Sequence, residues 1–361
     1  MDKFVQRLPH VLKKLKDVPK LGVVLGNEAG DLDSVTSALT YAYHLQEHRD
    51  YECIPVLNFP RLDLPLKTEV RFCLKKLHLN PEHLVFVDDL NWVELGDALE
   101  LTLVDHNVIN KPELKFLEPN VVAVFDHHVQ ERQDIDDLDF QLDFVGSAST
   151  LIAERIFQEN PEMQEETVLK LIRWTIITDT SNLSPAKKKA TKLDIEILEQ
   201  IENILAESAA SMWNRKVIYE EIIKAKSDTS SFCANQLLRK DLKVVYFKAP
   251  EITVSLSSLP GAMSCSKFMD RLDFRKDLDD FQRKGNYALI IALGAGDLMI
   301  YPKETDLCFK VREMLLSKNP DIKIKVDQSK FSDVEYLRRS NVAYTRKKIM
   351  PLVKEAIEEC K

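Results

Sequence analysis

The apolar positions of this chain fall into short runs that alternate with amphipathic stretches. Leu21, Val23, Val24 and Leu25 form a run too apolar for a sheet edge, which predicts a buried parallel strand. Residues 54–57, 84–87, 99–104 and 121–125 repeat the pattern. Helical spacing follows the first two runs, through Ala38, Tyr41, Ala42 and Leu45 and then through Val70, Phe72, Leu74 and Leu77. Strands alternating with helices predict an α/β domain with a mainly parallel sheet flanked by helices.

The polar residues that end these strands carry the candidate chemistry. The first is followed by Gly26, Asn27, Glu28, Asp31 and Asp33, with Ser34 placed to cap the next helix. Two carboxylates at i and i+2 repel unless a cation lies between them, so Asp31 and Asp33 read as half of a metal site. The plainer alternative is a pair of solvated loop acids beside a helix cap. Asp105 and His106 end the fourth strand, and Asp126, His127 and His128 the fifth. One rim of the sheet would then gather Asp31, Asp33, Asp105, Asp126, His127 and His128. Carboxylates with one or two imidazoles suit Mg²⁺ or Mn²⁺, and a shared carboxylate could bridge two ions. Asp88 and Asp89, after the third strand, read as a solvated turn.

Residues 146–156 open a helix with a glycine and hydroxyl turn whose amides could receive an anion, or which is simply capped. A buried helix follows over 168–177, and Asp179 just beyond it is a further candidate ligand, since an acid leaving an apolar helix needs a partner. Charged helices are expected over 187–206 and 213–227.

With 361 residues, 45% hydrophobic and 30% charged, the chain is long enough for two globular domains. A net charge of -8 argues against nonspecific binding to nucleic acid or to an acidic membrane. No apolar run is long enough to span a bilayer, and the first 18 residues read as an amphipathic helix rather than a signal peptide. The six cysteines lack paired spacing, which favours reduced thiols, a cytoplasmic location and no CxxC zinc site.

In order, N-x-x-x-D-x-D (Asn27, Asp31, Asp33), V-D-H (Asp105), D-H-H (Asp126, His127, His128), G-S-x-x-T (146–150) and T-D-T (Asp179) resemble the DHH phosphoesterase superfamily. The G-N-E-x-x-D-L-D-S form resembles its exopolyphosphatase and Prune branch, beside the family II inorganic pyrophosphatases. The resemblance implies two domains, 1–226 (DHH, catalytic) and 227–361 (DHHA2, substrate-binding), with a binuclear site in the cleft between them. It implies that Asp31, His127 and Asp179 hold one ion and Asn27 and Asp33 the other, Asp105 bridging, with His128 just behind and oriented towards substrate. Family II pyrophosphatases carry His where this chain has Asn27, which points away from pyrophosphate as the main substrate. Several Prune proteins carry D-H-R where this chain keeps D-H-H, which favours an intact active site.

Beyond a small polar segment after Ser227, which reads as a hinge, a second sheet is expected over 252–256, 288–293 and 298–301, with a charged helix over 266–284. The run Arg346-Lys347-Lys348 reads by itself as a solvated basic face. It resembles the S-R-K-K-Q motif of DHHA2 domains, and L-L-R-K-D-L-K resembles the family's other lysine segment, which implies Lys243, Arg346 and Lys347 as phosphate-binding groups. The G-G-G-H motif of nanoRNase and RecJ-like relatives is absent.

The expectation is an exopolyphosphatase that uses two divalent ions, Mg²⁺ or Mn²⁺, on short polyphosphate or another small phosphoanhydride. Inorganic pyrophosphatase and cyclic-nucleotide phosphodiesterase are the alternatives within the enzyme class. A Prune-like regulatory scaffold is the alternative outside it. No nucleic acid duplex or membrane partner is expected, and no sequence feature identifies a protein partner.

Overall fold

The computed structural model describes the chain except residues 164, 208–213, 249–250, 318–321 and 359–361, and except the side chains of 17, 97, 206 and 207. Two compact units divide it, Met1–Lys226 and Ser227–Lys361.

In the first unit, α1 (Asp2–Lys14) leads into β1 (Leu21–Leu25), α2 (Leu32–His48), β2 (Glu52–Leu57), α3 (Thr68–Lys76), β3 (Val85–Phe86), α4 (Trp92–Leu95), β4 (Leu99–Val104), β5 (Val121–Asp126) and β6 (Asp139–Leu142). Helices α5 (Ala148–Glu159), α6 (Glu166–Asp179), α7 (Lys192–Glu207) and α8 (Arg215–Ser227) complete it. The sheet order is β3-β2-β1-β4-β5-β6, and every pair is parallel. β1 is buried at all five positions because strands flank it on both sides, which matches its unbroken apolar run. One core made of first-unit residues, from Met1 to Ile222, holds this unit together.

The chain winds outward from β1 to β3 and then returns to β4, so the strand order reverses between β1 and β4. Open α/β sheets bind ligands at the carboxyl ends of their strands at such a switch point. The sequence runs Asn27–Asp33, Asp105 and Asp126–His128 all leave the sheet on this one edge.

Several local expectations differ from the structure. The third strand keeps only two residues before turning at Val87–Asp89. β6 was not expected, because Asp-Phe-Gln-Leu is too polar to read as buried; it lies at the sheet edge with no fully buried position. The helix expected from residue 187 begins at Lys192, after a turn segment. The helix expected from 213 is α8, which begins at Arg215, and residue 213 itself lies outside the described residues.

The second unit contains α9 (Ala234–Lys240), β7 (Leu242–Lys248), β8 (Glu251–Ser258), α10 (Cys265–Met269), α11 (Phe274–Gly285), β9 (Tyr287–Leu293), β10 (Asp297–Tyr301), α12 (Asp306–Ser317), β11 (Ile324–Asp327), β12 (Glu335–Arg339) and α13 (Arg346–Glu358). Its mixed sheet runs β11-β12-β10-β9-β8-β7, with β8 and β9 parallel and the other pairs antiparallel. The expected helix over 266–284 is two helices, because Asp270–Asp273 turns the chain between α10 and α11.

Candidate metal centre

Asp31, not Ser34, caps α2: its carboxylate accepts the Ser34 N–H at 3.1 Å. Ser34 is instead the third helical residue, and its hydroxyl donates to the Asn27 carbonyl at 3.2 Å, closing the loop. Asp33 is 3% exposed and points at the start of α5. Its Oδ1 accepts the Ser147 hydroxyl at 2.8 Å, the Ser149 N–H at 2.8 Å and the Ser149 hydroxyl at 2.6 Å, and its Oδ2 accepts the Ala148 N–H at 2.7 Å. Of the two readings of this helix start, an anion site or a simple cap, the structure shows its amides holding Asp33. A helix N-terminus suits a carboxylate, and here the partner is internal.

Asp105 leaves β4 in a left-handed conformation (φ 64°), with its N–H bonded to Phe125 O at 2.9 Å. Asn27 spans the switch point, donating Nδ2–H to the Asp105 carbonyl at 2.8 Å while its Oδ1 accepts the Ala29 N–H at 2.8 Å. His127 Nδ1 lies 2.9 Å from Val145 O, so this nitrogen is the donor and Nε2 is turned to the carboxylates. Nε2 stands 3.3 Å from Asp105 Oδ1 and 3.8 Å from Asp33 Oδ2.

Asp126 is fully buried and does not line the cleft. It accepts the N–H groups of His127 and His128, His128 Nδ1–H at 2.8 Å and Asn107 Nδ2–H at 2.5 Å, and so fixes the histidine pair from behind. Asp179 closes α6, and its Oδ2 is shut off from solvent without a hydrogen-bond partner. A buried carboxylate oxygen without a partner is costly unless a cation completes it.

Asn27, Asp31, Asp33, Asp105, His127, His128 and Asp179 line one cavity of about 420 Å³, together with Ala29, Val145, Gly146 and Lys189. Ligand atoms of Asp105, His127 and His128 lie within 4.8 Å of one another. Burial raises the pKa of Asp33, opposed by His127 and reinforced by Asp31. Burial likewise pushes Asp105 up to about 8 against its His127 hydrogen bond, and drives Asp179 well up, with Asp33 and Asp31 adding to it. Burial alone would lower His127, but the Asp105 hydrogen bond and the charge of Asp33 carry it up to about 10. The cluster thus calls for positive charge, and without a metal a protonated imidazole supplies it. This donor set of carboxylates and imidazole, with one oxygen left over, fits a hard divalent cation.

Two family models match the chain, the DHH family N-terminal domain over residues 22–178 and the DHHA2 domain over residues 220–356. Exopolyphosphatase PRUNE1 of Homo sapiens is 32% identical over 357 residues, covering 95% of this chain and 77% of that protein. The chain belongs to the DHH phosphoesterase superfamily, in its exopolyphosphatase and Prune branch. A manganese-dependent inorganic pyrophosphatase of Methanocaldococcus jannaschii is 25% identical over 75% of this chain and 81% of its own. A solved Methanococcus jannaschii structure assigned as a family II inorganic pyrophosphatase shares the fold, with a TM-score of 0.52 at 20% identity over 94% of this chain and 99% of that one.

Within this DHH fold, the structure sets the proximities of the implied ligands beside the grouping that the resemblance implies. That grouping pairs His127 with Asp31, and Asp33 with Asn27. The structure brings His127 to Asp33 and Asp105, while Asn27 contacts the backbone of Asp105. Asp88 and Asp89 stand apart from the cavity, as a turn; Asp89 accepts from Arg61 Nε and a terminal nitrogen and from Phe86 N–H, so it is paired rather than solvated. Lys243 and Lys347 are exposed in the second unit. Arg346 pairs with Asp241 at 2.7 Å, which joins the two basic segments to one another. Sequence reasoning missed Asp194, which accepts from Gly146 N–H, Thr150 hydroxyl and Thr191, and it also missed Lys189. The Thr191-x-x-Asp194 capping signature was the available signal for Asp194.

Proposed function

We propose that this chain is a divalent-metal-dependent phosphoanhydride hydrolase, an exopolyphosphatase that releases orthophosphate from short polyphosphate. The unpartnered Asp179 oxygen, in a residue that lines one cavity with Asp33, Asp105 and His127, carries this reading, because a pure binding scaffold gains nothing from converging buried carboxylates. Asp33, Asp105, His127 and Asp179 would hold one ion and Asn27 and Asp31 would face the second, with Asp105 shared and Mg²⁺ or Mn²⁺ as the metal. When bound, such ions supply charge that acidifies water and neutralises phosphate oxygens.

The chain's own groups do the rest. Val145 O holds the proton on His127 Nδ1, which keeps Nε2 available as a donor atom to the cluster. Asp126 orients His128 through Nδ1, leaving Nε2 of this half-exposed ring for a substrate oxygen. The α5 N-terminus fixes Asp33 so that it needs no reorganisation. Lys243, Arg346 and Lys347 of the second unit would neutralise substrate phosphates. Inorganic pyrophosphatase is the second reading, favoured by similarity to the Methanocaldococcus jannaschii enzyme.

No helix among the described residues is long and apolar enough to cross a membrane, and Cys53, Cys73, Cys233, Cys265 and Cys308 are unpaired. Phosphate release from pyrophosphate, tripolyphosphate, longer polyphosphate and a cyclic nucleotide, each with Mg²⁺ and Mn²⁺, tests the reading. Tripolyphosphate turnover above the others is expected, and no release from any substrate would overturn it.

A further inference from the structure

Lys189 is the one lysine or arginine among the residues lining the carboxylate cavity, and no ion pair of the described residues engages its ammonium group. The cavity also carries Asp31, Asp33, Asp105 and Asp179, so a phosphate chain entering it meets concentrated negative charge. The chain is tied down on both sides of Lys189. After Asp179 the chain turns through Ser181, Asn182 and Leu183, all left-handed, with Thr180 bonding Ile176 O and Leu183 N–H. Asp194, fully buried, then fastens Thr191 to the start of α5. Its Oδ2 accepts Thr191 N–H at 2.7 Å and Gly146 N–H at 2.8 Å, and its Oδ1 accepts the Thr150 hydroxyl at 2.6 Å. Gly146 lies so close to this strap that a Cβ there would come within 3.0 Å of Lys189 O.

We propose that Lys189 is a phosphate-binding residue of the first unit, which donates its ammonium protons to an oxygen of the phosphoanhydride substrate beside the metal ligands. The assignment rests on the hydrolase reading above. It supplies positive charge from within the unit that carries the carboxylates, independent of Lys243, Arg346 and Lys347. An ammonium group offers three donors on a flexible stem, which suits a phosphate group that must enter and leave.

Steady-state kinetics on the full chain with Mn²⁺ and tripolyphosphate test this. Lys189→Ala should raise KM about tenfold, the scale of one charge-assisted hydrogen bond, with kcat within about threefold. Lys189→Arg should recover most of the loss, and Lys187→Ala, outside the cavity, should match the unaltered protein. Thermal unfolding of each variant separates loss of binding from loss of fold, and Lys189→Gln gives a second, isosteric reading. Wild-type turnover with an unchanged KM in both Lys189→Ala and Lys189→Gln would overturn the assignment and leave the hydrolase reading standing. Absence of turnover by the unaltered chain would overturn the hydrolase reading and this assignment with it.

Discussion

His127 Nε2 stands 3.3 Å from Asp105 Oδ1, and in the metal-free protein the two groups hold protons that a cation would displace. Asp105 holds its proton to about pH 8 instead of 3.8, and His127 to about pH 10 instead of 6.5. Both groups bind more protons folded than unfolded, so their stabilising contribution is full at low pH and is lost as pH rises through about 8 and then 10. The metal-free chain should therefore melt lower at pH 9 than at pH 6. Mn²⁺ at about a hundred times its Kd should add about 2.7 kcal/mol. The gap between loaded and metal-free forms should widen with pH. Thermal unfolding with Mn²⁺ or a chelator measures it, and a gap that shrinks as pH rises would contradict the displacement of protons by the cation.

Asp105→Asn is the cleanest test of the shared carboxylate. Asparagine tolerates the left-handed backbone that Asp105 adopts, where alanine would add strain. Turnover should fall by more than the roughly 10- to 100-fold that a supporting residue costs. The melting temperature should hold or rise, since a buried carboxylate is removed. Asp89→Ala should do the reverse, costing about 1 kcal/mol through the lost Arg61 and Phe86 bonds while leaving activity close to wild type.

Gly146→Ala places a methyl group 2.7 Å from Thr180 Cγ2 and 3.0 Å from both Asp194 Oδ2 and Lys189 O. The carboxylate and the carbonyl cannot swing away without breaking the strap. A loss of about 1–3 kcal/mol is expected, together with a raised KM. Chemical denaturation and kinetics on the same variant would decide whether the two effects travel together.

The first unit has a core of its own residues, so residues 1–226 should fold alone and bind Mn²⁺. They should turn over tripolyphosphate at a few per cent of the full-chain rate or less, because Lys243, Arg346 and Lys347 are missing. Circular dichroism, metal titration and phosphate release check the three parts. Full activity in the fragment would make those three residues a solvated basic face.

The rim of acids was legible in the sequence because each group follows an apolar run, and parallel strands carry their ends to one edge. What could not be read was which distant element each acid meets. Asp33 finds the α5 amides, 115 and 116 residues away, and Asp126 turns inward to bind the histidine pair. Asp31 and Ser34 are both good caps three residues apart, and only the fold selects Asp31. The turn through Ser181–Leu183 has only a faint sequence signature, since of its three left-handed residues Asn182 alone is of a type that enters that region readily. That turn is what brings Lys189 to the cavity and delays α7 to Lys192.

Asn27 is where this chain departs from the family II pyrophosphatases, and its amide already has two tasks. Nδ2 donates to the Asp105 carbonyl, and Oδ1 accepts the Ala29 N–H with one of its two lone pairs. The remaining lone pair is a neutral, hard donor suited to Mg²⁺, whereas an imidazole nitrogen binds Mn²⁺ or Co²⁺ more strongly. Asn27→His gives up at least one of the backbone bonds but introduces that stronger donor beside Asp31. It should tighten Mn²⁺ or Co²⁺ binding relative to Mg²⁺ and raise the ratio of pyrophosphate to tripolyphosphate hydrolysis. Asn27→Ala separates the two tasks: it should lose about 1–2 kcal/mol of stability from the broken backbone bonds without gaining any preference for Mn²⁺. Titrating both variants with each metal while following phosphate release distinguishes the outcomes. If Asn27→His and Asn27→Ala share one metal preference and one substrate ratio, Asn27 serves only to tie the β1 loop to Asp105, and the second ion draws its ligands from the carboxylates alone.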